Sequence, residues 1–143
     1  MEKTIIDTVM IRKATAADLP AIETFLQQFV TSGKLLPRTF QELEGLLDNL
    51  FIAVVDGKLM GTAALEIYNH KLAEIRSLAV APEAQGSGVG KKLVDACVEL
   101  AKERNVYEIM AISSSEAFFK ACGFDFTLPN ERKAFFLQTR DEL

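Results

Sequence analysis

The stretch Leu72-Ala73-Glu74-Ile75-Arg76-Ser77-Leu78-Ala79-Val80, the turn Ala81-Pro82-Glu83-Ala84 and the cluster Gln85-Gly86-Ser87-Gly88-Val89-Gly90 follow one another without a break, and their junction decides the fold. The first nine residues read as a strand. Three of the eight glycines fall in the cluster, and beyond it Val89, Leu93, Cys97, Leu100 and Ala101 share one helical face while Lys91, Lys92, Asp95, Glu99 and Lys102 share the other. A glycine turn between a strand and a helix N-terminus points backbone N–H groups inward with no Cβ in the way, and the helix dipole adds positive potential. Such a turn suits a phosphate group. Two phosphate motifs fail by position: a Walker A loop ending at Gly90-Lys91 needs glycine at Gln85 and a hydroxyl at Lys92, and a dinucleotide fingerprint from Gly86 needs a small residue at Lys91.

Outward from that junction, Asp56-Gly57 separates the apolar runs Leu50 to Val55 and Leu59 to Ile67, and Asp-Gly supplies the positive φ angles of a two-residue hairpin. A looser turn at Asn69-His70-Lys71 leads into the strand from Leu72, so three strands form an antiparallel meander. Upstream, Val9 to Ala14 reads as a first strand, and Thr15-Ala16-Ala17-Asp18 resembles a capping box ahead of a helix with Ile22, Phe25, Leu26 and Phe29 on one stripe. Ser32-Gly33 stops that helix. A second box, Thr39 to Glu42, opens another with Leu43, Leu46 and Leu47. Downstream, Val106 to Ser113 reads as a strand, Ser115 to Cys122 as a short helix capped by Gly123, and Lys133 to Thr139 as a last strand. The order predicts an α/β fold: a mixed, mostly antiparallel sheet of six to seven strands with about four helices, in one domain over 1–143 with an N-terminal extension of about 1–8.

The 143 residues, 49% hydrophobic and 25% charged, suit one globular domain with a real core. A net charge of -4 lacks the footprint of a general nucleic-acid binder, so an anionic ligand needs a local site. No run approaches a membrane span. Met1-Glu2-Lys3-Thr4 is polar where a signal peptide is apolar, and a cytoplasmic location is the expectation. Cys97 and Cys122 lack CxxC spacing and read as small core residues, with no metal expected.

Gln85-x-x-Gly88-x-Gly90 after Leu78-Ala79-Val80 resembles the signature Q/R-x-x-G-x-G/A of the GNAT superfamily of N-acetyltransferases, and the element order resembles it over nearly the whole chain. The resemblance implies acetyl-CoA as co-substrate. It places the pyrophosphate at the backbone of Gln85, Gly86, Ser87, Gly88, Val89, Gly90 and Lys91, and the pantetheine arm along Leu78, Ala79 and Val80. Phe118-Phe119-x-x-x-Gly123-Phe124 resembles the family's segment after the fifth strand, which adds Phe119 to the cofactor residues.

Acetyl transfer needs a neutral amine, a polarised thioester carbonyl and a proton for the thiolate. A lysine-type amine of pKa about 10.4 is neutral only about once in 2,500 at pH 7, so a base is required. Strict alternation puts Leu72, Glu74, Arg76, Leu78 and Val80 on one face of the strand and Ala73, Ile75, Ser77 and Ala79 on the other. Glu74 is therefore the candidate base, and some family members use a glutamate at this position. The bland alternative is a Glu74–Arg76 pair at a solvated edge, which would weaken the base. The backbone N–H of Leu78 or Ala79 is the family-like donor to the oxyanion. Where many members carry a tyrosine as general acid this chain has Phe118 and Phe119, which leaves Ser113, Ser114, Ser115, a water or direct departure of the thiolate. Tyr68 and Tyr107 do not occupy that place, and His70 sits at a turn tip.

A closer resemblance is to the acetyltransferase domain of N-acetylglutamate synthases, carried by Leu36-Pro37-Arg38-Thr39, the stretch from Ala73 to Val80, Phe118-Phe119 with Gly123-Phe124, and Leu128-Pro129 followed by Lys133. It implies an amino-acid acceptor whose carboxylates are bound by Arg38, with Arg76 and Lys133 as further candidates; a guanidinium suits bidentate capture. Some members have an arginine where this chain has Ser113-Ser114-Ser115-Glu116, and a Glu116 near the acceptor would repel a dicarboxylate. Two other readings stand beside transfer to a small amine or amino acid: a silent acyl-CoA-binding module, and a protein acetyltransferase acting on lysines or N-termini. Turnover on an acceptor panel separates the first, and an open peptide groove marks the second. The apolar Phe135-Phe136-Leu137 offers a contact for a homodimer.

Overall fold

The computed structural model describes residues 8–126 together with 135, 137 and 139. They fall into two units divided after Ile112. In the first, β1 (Met10–Lys13), β2 (Leu50–Val55), β3 (Lys58–Ile67), β4 (Leu72–Val80) and β5 (Glu108–Met110) form one sheet in the order β1-β2-β3-β4-β5. The first four pair antiparallel; β4 and β5 pair parallel over only Leu72–Glu74 and Glu108–Met110. Five strands stand among the described residues, not the expected six to seven. The predicted last strand falls largely outside those residues, and Phe135, Leu137 and Thr139 belong to no strand. The fifth strand is also shorter than the apolar run from Val106 to Ser113 implied, because its pairing with β4 ends at Glu74.

Local chemistry explains the elements. Asp56 and Gly57 both take positive φ (50° and 77°), the geometry of a type I′ hairpin whose twist matches its strands. At the β3–β4 turn the Asn69 side-chain oxygen accepts from the N–H of Lys71 at 2.8 Å and of Leu72 at 3.1 Å, which sets the register of the meander. Helix α1 (Leu19–Thr31) follows a 3-10 turn at Ala16–Asp18, buries Leu19, Ile22, Leu26 and Phe29, and ends at Ser32 with Gly33 at φ 77°. Helix α2 (Phe40–Leu46) is capped by Thr39, whose hydroxyl accepts from Glu42 N–H at 3.0 Å. These two helices cover the sheet face carrying Leu50, Ile52, Ala64 and Ala79. Helix α3 (Val89–Glu103) buries Val89, Leu93, Val94, Cys97, Leu100 and Ala101 on the opposite side, where Gly61 allows Leu93 its close approach. Cys97 is a core residue, its thiol pushed up to about 12 by burial.

The second unit holds helix α4 (Glu116–Ala121), followed by Gly123 at φ 90° in the left-handed position expected of it. Phe119 packs edge-on against Phe118 and Phe124, with ring centroids 5.1 and 5.4 Å apart. No helix among the described residues is long and apolar enough to cross a membrane.

Candidate active site

Strand β4 is not regular. Arg76 stands opposite Ala64 and Ala79 opposite Thr62, so Ser77 and Leu78 together face the single residue Ala63. That extra residue is a β-bulge, and it overturns the strict alternation: Ala79 shares a face with Glu74 and Arg76, while Val80, opposite Gly61, joins Ile75 on the other. Ser77 carries the strain at φ 53°. Asp56 and Asn105, the other non-glycine residues at positive φ, lie at turns and are of types that tolerate it; a serine inside a strand is the exception. Two bonds hold the bulge. The buried Thr62 hydroxyl donates to the Ser77 carbonyl at 2.7 Å, and Arg38 Nε donates to Ser77 Oγ at 3.1 Å.

From Ile75 to Val80 no strand pairs with the outer edge of β4 among the described residues. The strand then leads through the 3-10 turn Pro82–Ala84 to the glycine cluster. Gln85 Nε2 donates to the Val80 carbonyl at 3.0 Å and Ser87 Oγ bonds the Ala84 carbonyl, which tether the loop to the strand end. Gly86 and Gly88 are exposed at φ 80° and 95°, and Gly88 is the N-cap of α3 without a side-chain cap. The first amides of a helix have no intrahelical acceptor, so this N-terminus offers donors to an anion. Val89 is fully buried and can serve only through its backbone. Lys91 is paired with Asp95 at 3.1 Å. An open strand edge running into uncapped amides fits an extended ligand that ends in a pyrophosphate.

Glu74 is buried, at 7% exposure, and is not at a solvated edge. Its Oε1 accepts from Tyr68 Oη at 2.5 Å and lies 3.4 Å from Arg76 Nη1; the same Nη1 is 3.0 Å from Glu66 Oε2. The expected Glu74–Arg76 pair exists, with Glu66 as the nearer partner of the cation. Burial, together with the bond to the Glu74 carboxylate, holds the Tyr68 phenol above its usual value. Burial works against the Arg76 charge, yet Tyr68, Glu74 and Glu66 outweigh it and raise the group. Tyr68 is the residue that sequence reasoning missed. The signal was the turn: with Tyr68 N–H bonded to the Leu72 carbonyl at 3.0 Å, Tyr68 lies diagonal to Glu74 on the same face.

Arg38 sits just ahead of the capped α2, its side chain 14% exposed, with Nη1 3.7 Å from Glu42. Together with Ser77, Glu23, Gln27 and the apolar Leu26, Val30 and Leu35 it lines a cavity of about 90 Å³. Arg38 and the bulge are thus brought together, while Arg76 lies two register positions along β4 from Ala79. Ser113 belongs to the second unit, is exposed, and its Oγ accepts from Ser115 N–H at 2.9 Å. Lys133 lies outside the described residues.

A model described as the Acetyltransferase (GNAT) family matches residues 18–124. An uncharacterized N-acetyltransferase of Chlorobaculum tepidum is 32% identical over 114 residues, 80% of this chain and 74% of its own. An amino-acid acetyltransferase of Mycobacterium tuberculosis is 30% identical over 125 residues, 80% of this chain and 67% of its own. Among solved structures, N-acetylglutamate synthase from Neisseria gonorrhoeae, complexed with coenzyme A and N-acetyl-glutamate, superposes with a TM-score of 0.72 at 32% identity. That match covers 79% of this chain and 27% of the gonococcal one, so the chain spans about a quarter of that relative.

Proposed function

This chain belongs to the GNAT acetyltransferase family and is an acetyl-CoA-dependent N-acetyltransferase, and from that premise we propose that its acceptor is the α-amino group of an amino acid, glutamate first among them. The observation that carries the reading is Arg38, a poorly exposed guanidinium anchored on the Ser77 bulge and lining a cavity beside the open edge of β4. A guanidinium there captures the acceptor carboxylate. Relatives named as amino-acid acetyltransferases and as N-acetylglutamate synthase support the substrate class.

When bound, acetyl-CoA supplies an activated acetyl thioester. The amides of Gly86, Gly88, Val89, Gly90 and Lys91 would hold its pyrophosphate, that of Ser87 being engaged by the Ala84 carbonyl at 3.3 Å, and the backbone of Leu78, Ala79 and Val80 would carry its arm. Arg38 fixes the acceptor. Glu74 would take a proton from the acceptor ammonium, directly or through a water, and the N–H of Leu78 or Ala79 would donate to the carbonyl oxygen as the C–N bond forms; the C–S bond then breaks, and the thiolate departs with the proton that the new amide nitrogen loses. A thiol-release assay with L-glutamate, aspartate, glutamine, lysine, small amines and a lysine peptide tests this. Fastest turnover on glutamate is expected. Turnover on the peptide alone would replace an amino acid by a protein acceptor.

A further inference from the structure

We propose that Tyr68 is a positioning residue for Glu74, its hydroxyl fixing one carboxylate oxygen so that the other is left to take the acceptor's proton; the second half of this rests on Glu74 being the base. Distance decides which neighbour does the holding. Tyr68 Oη lies 2.5 Å from Oε1, a full charge-assisted hydrogen bond, whereas Arg76 Nη1 is 3.4 Å from that oxygen and 3.0 Å from Glu66. Arg76 is thus engaged chiefly by Glu66. Glu74 Oε2 takes no hydrogen bond among the described residues, so one oxygen is fixed and one is unengaged.

The register also says what Tyr68 does not do. Its amide bonds the Leu72 carbonyl, which places it on the side of Glu74 away from Ser77 and the glycine loop. That is the end of β4 remote from the stretch assigned to the thioester, so the register supports a role for Tyr68 on Glu74 and none on the leaving thiolate. The other groups around Glu74 are consistent with a tyrosine-set carboxylate. Across β3 stands Glu66, and on β5 the register partner of Glu74 is the uncharged Met110, with Glu108 opposite Leu72. Helix α1 contributes Glu23, which lines the acceptor cavity, and the turn contributes the exposed Lys71. Arg76 is the sole cation in direct contact.

Tyr68→Phe removes one oxygen from a half-exposed ring. The kcat on the fastest acceptor of the panel should fall about tenfold in the variant, with the acceptor KM and acetyl-CoA affinity unchanged. A loss of turnover that comes through the acceptor KM alone overturns the assignment. Full turnover in Glu74→Gln sinks the reading of Glu74 as base. Full turnover in Tyr68→Phe beside a crippled Glu74→Gln overturns the positioning alone.

Discussion

Gly61 lets Leu93 of α3 pack tightly onto the sheet. A Cβ there would lie 2.8 Å from Leu93 Cδ1 and 3.1 Å from the Ala79 carbonyl oxygen, and the second contact is backbone that cannot step aside. Gly61→Val should therefore destabilise the fold by about 2–3 kcal/mol in chemical denaturation. Thr62 is the neighbouring test. Its buried hydroxyl holds the Ser77 carbonyl, so Thr62→Val should cost about 1–2 kcal/mol and lower turnover while leaving coenzyme A affinity in place. Gly88 holds φ 95° at the N-cap of α3, and Gly88→Glu adds a strained side chain and a negative charge where the pyrophosphate would sit. Loss of acetyl-CoA binding, read by calorimetry, is the expected result.

Among the elements, the junction of β1 with α1 depends on Asp18. Its carboxylate accepts from Arg12 at 2.7 and 2.9 Å and from Thr15 N–H at 2.7 Å, and these bonds, Arg12 first, hold it well below the ordinary carboxylate range. A depressed folded-state pKa gives stability that is fully present above the unfolded value of 3.8 and is lost as pH falls further. Asp18→Asn should lower neutral-pH stability by about 1 kcal/mol, because the solvent around Arg12 keeps the ionic part small. Its melting temperature should then fall less steeply than the native protein's below pH 4. The hairpin at Asp56-Gly57 and the loop from Gln85 to Gly90 were legible in the sequence because their chemistry is local: a turn type demands its residues. The bulge was not. Nothing in Arg76-Ser77-Leu78 signals an extra residue, and only pairing with β3 shows that Ala79 faces the helices with Glu74. Tyr68 was missed for the same reason, since its contact with Glu74 comes from the register that Asn69 sets.

For the molecule as a whole, the net charge of -4 describes its long-range field and conceals a local one. The donors at the start of α3 are backbone groups, carry no formal charge and do not titrate. Acetyl-CoA at about a hundredfold excess over Kd should stabilise the protein by about 2.7 kcal/mol, a rise of several degrees in melting temperature. Gly88→Glu should show no rise.

The left-handed serine at position 77 sets stability against activity. Holding a non-glycine residue at φ 53° costs about 1–2 kcal/mol, so Ser77→Gly should melt higher than the native chain. That same exchange removes the oxygen on which Arg38 rests. A laboratory selection for heat resistance alone would favour glycine at 77 and lose grip on the acceptor. A selection for turnover would restore serine and accept the lower melting point.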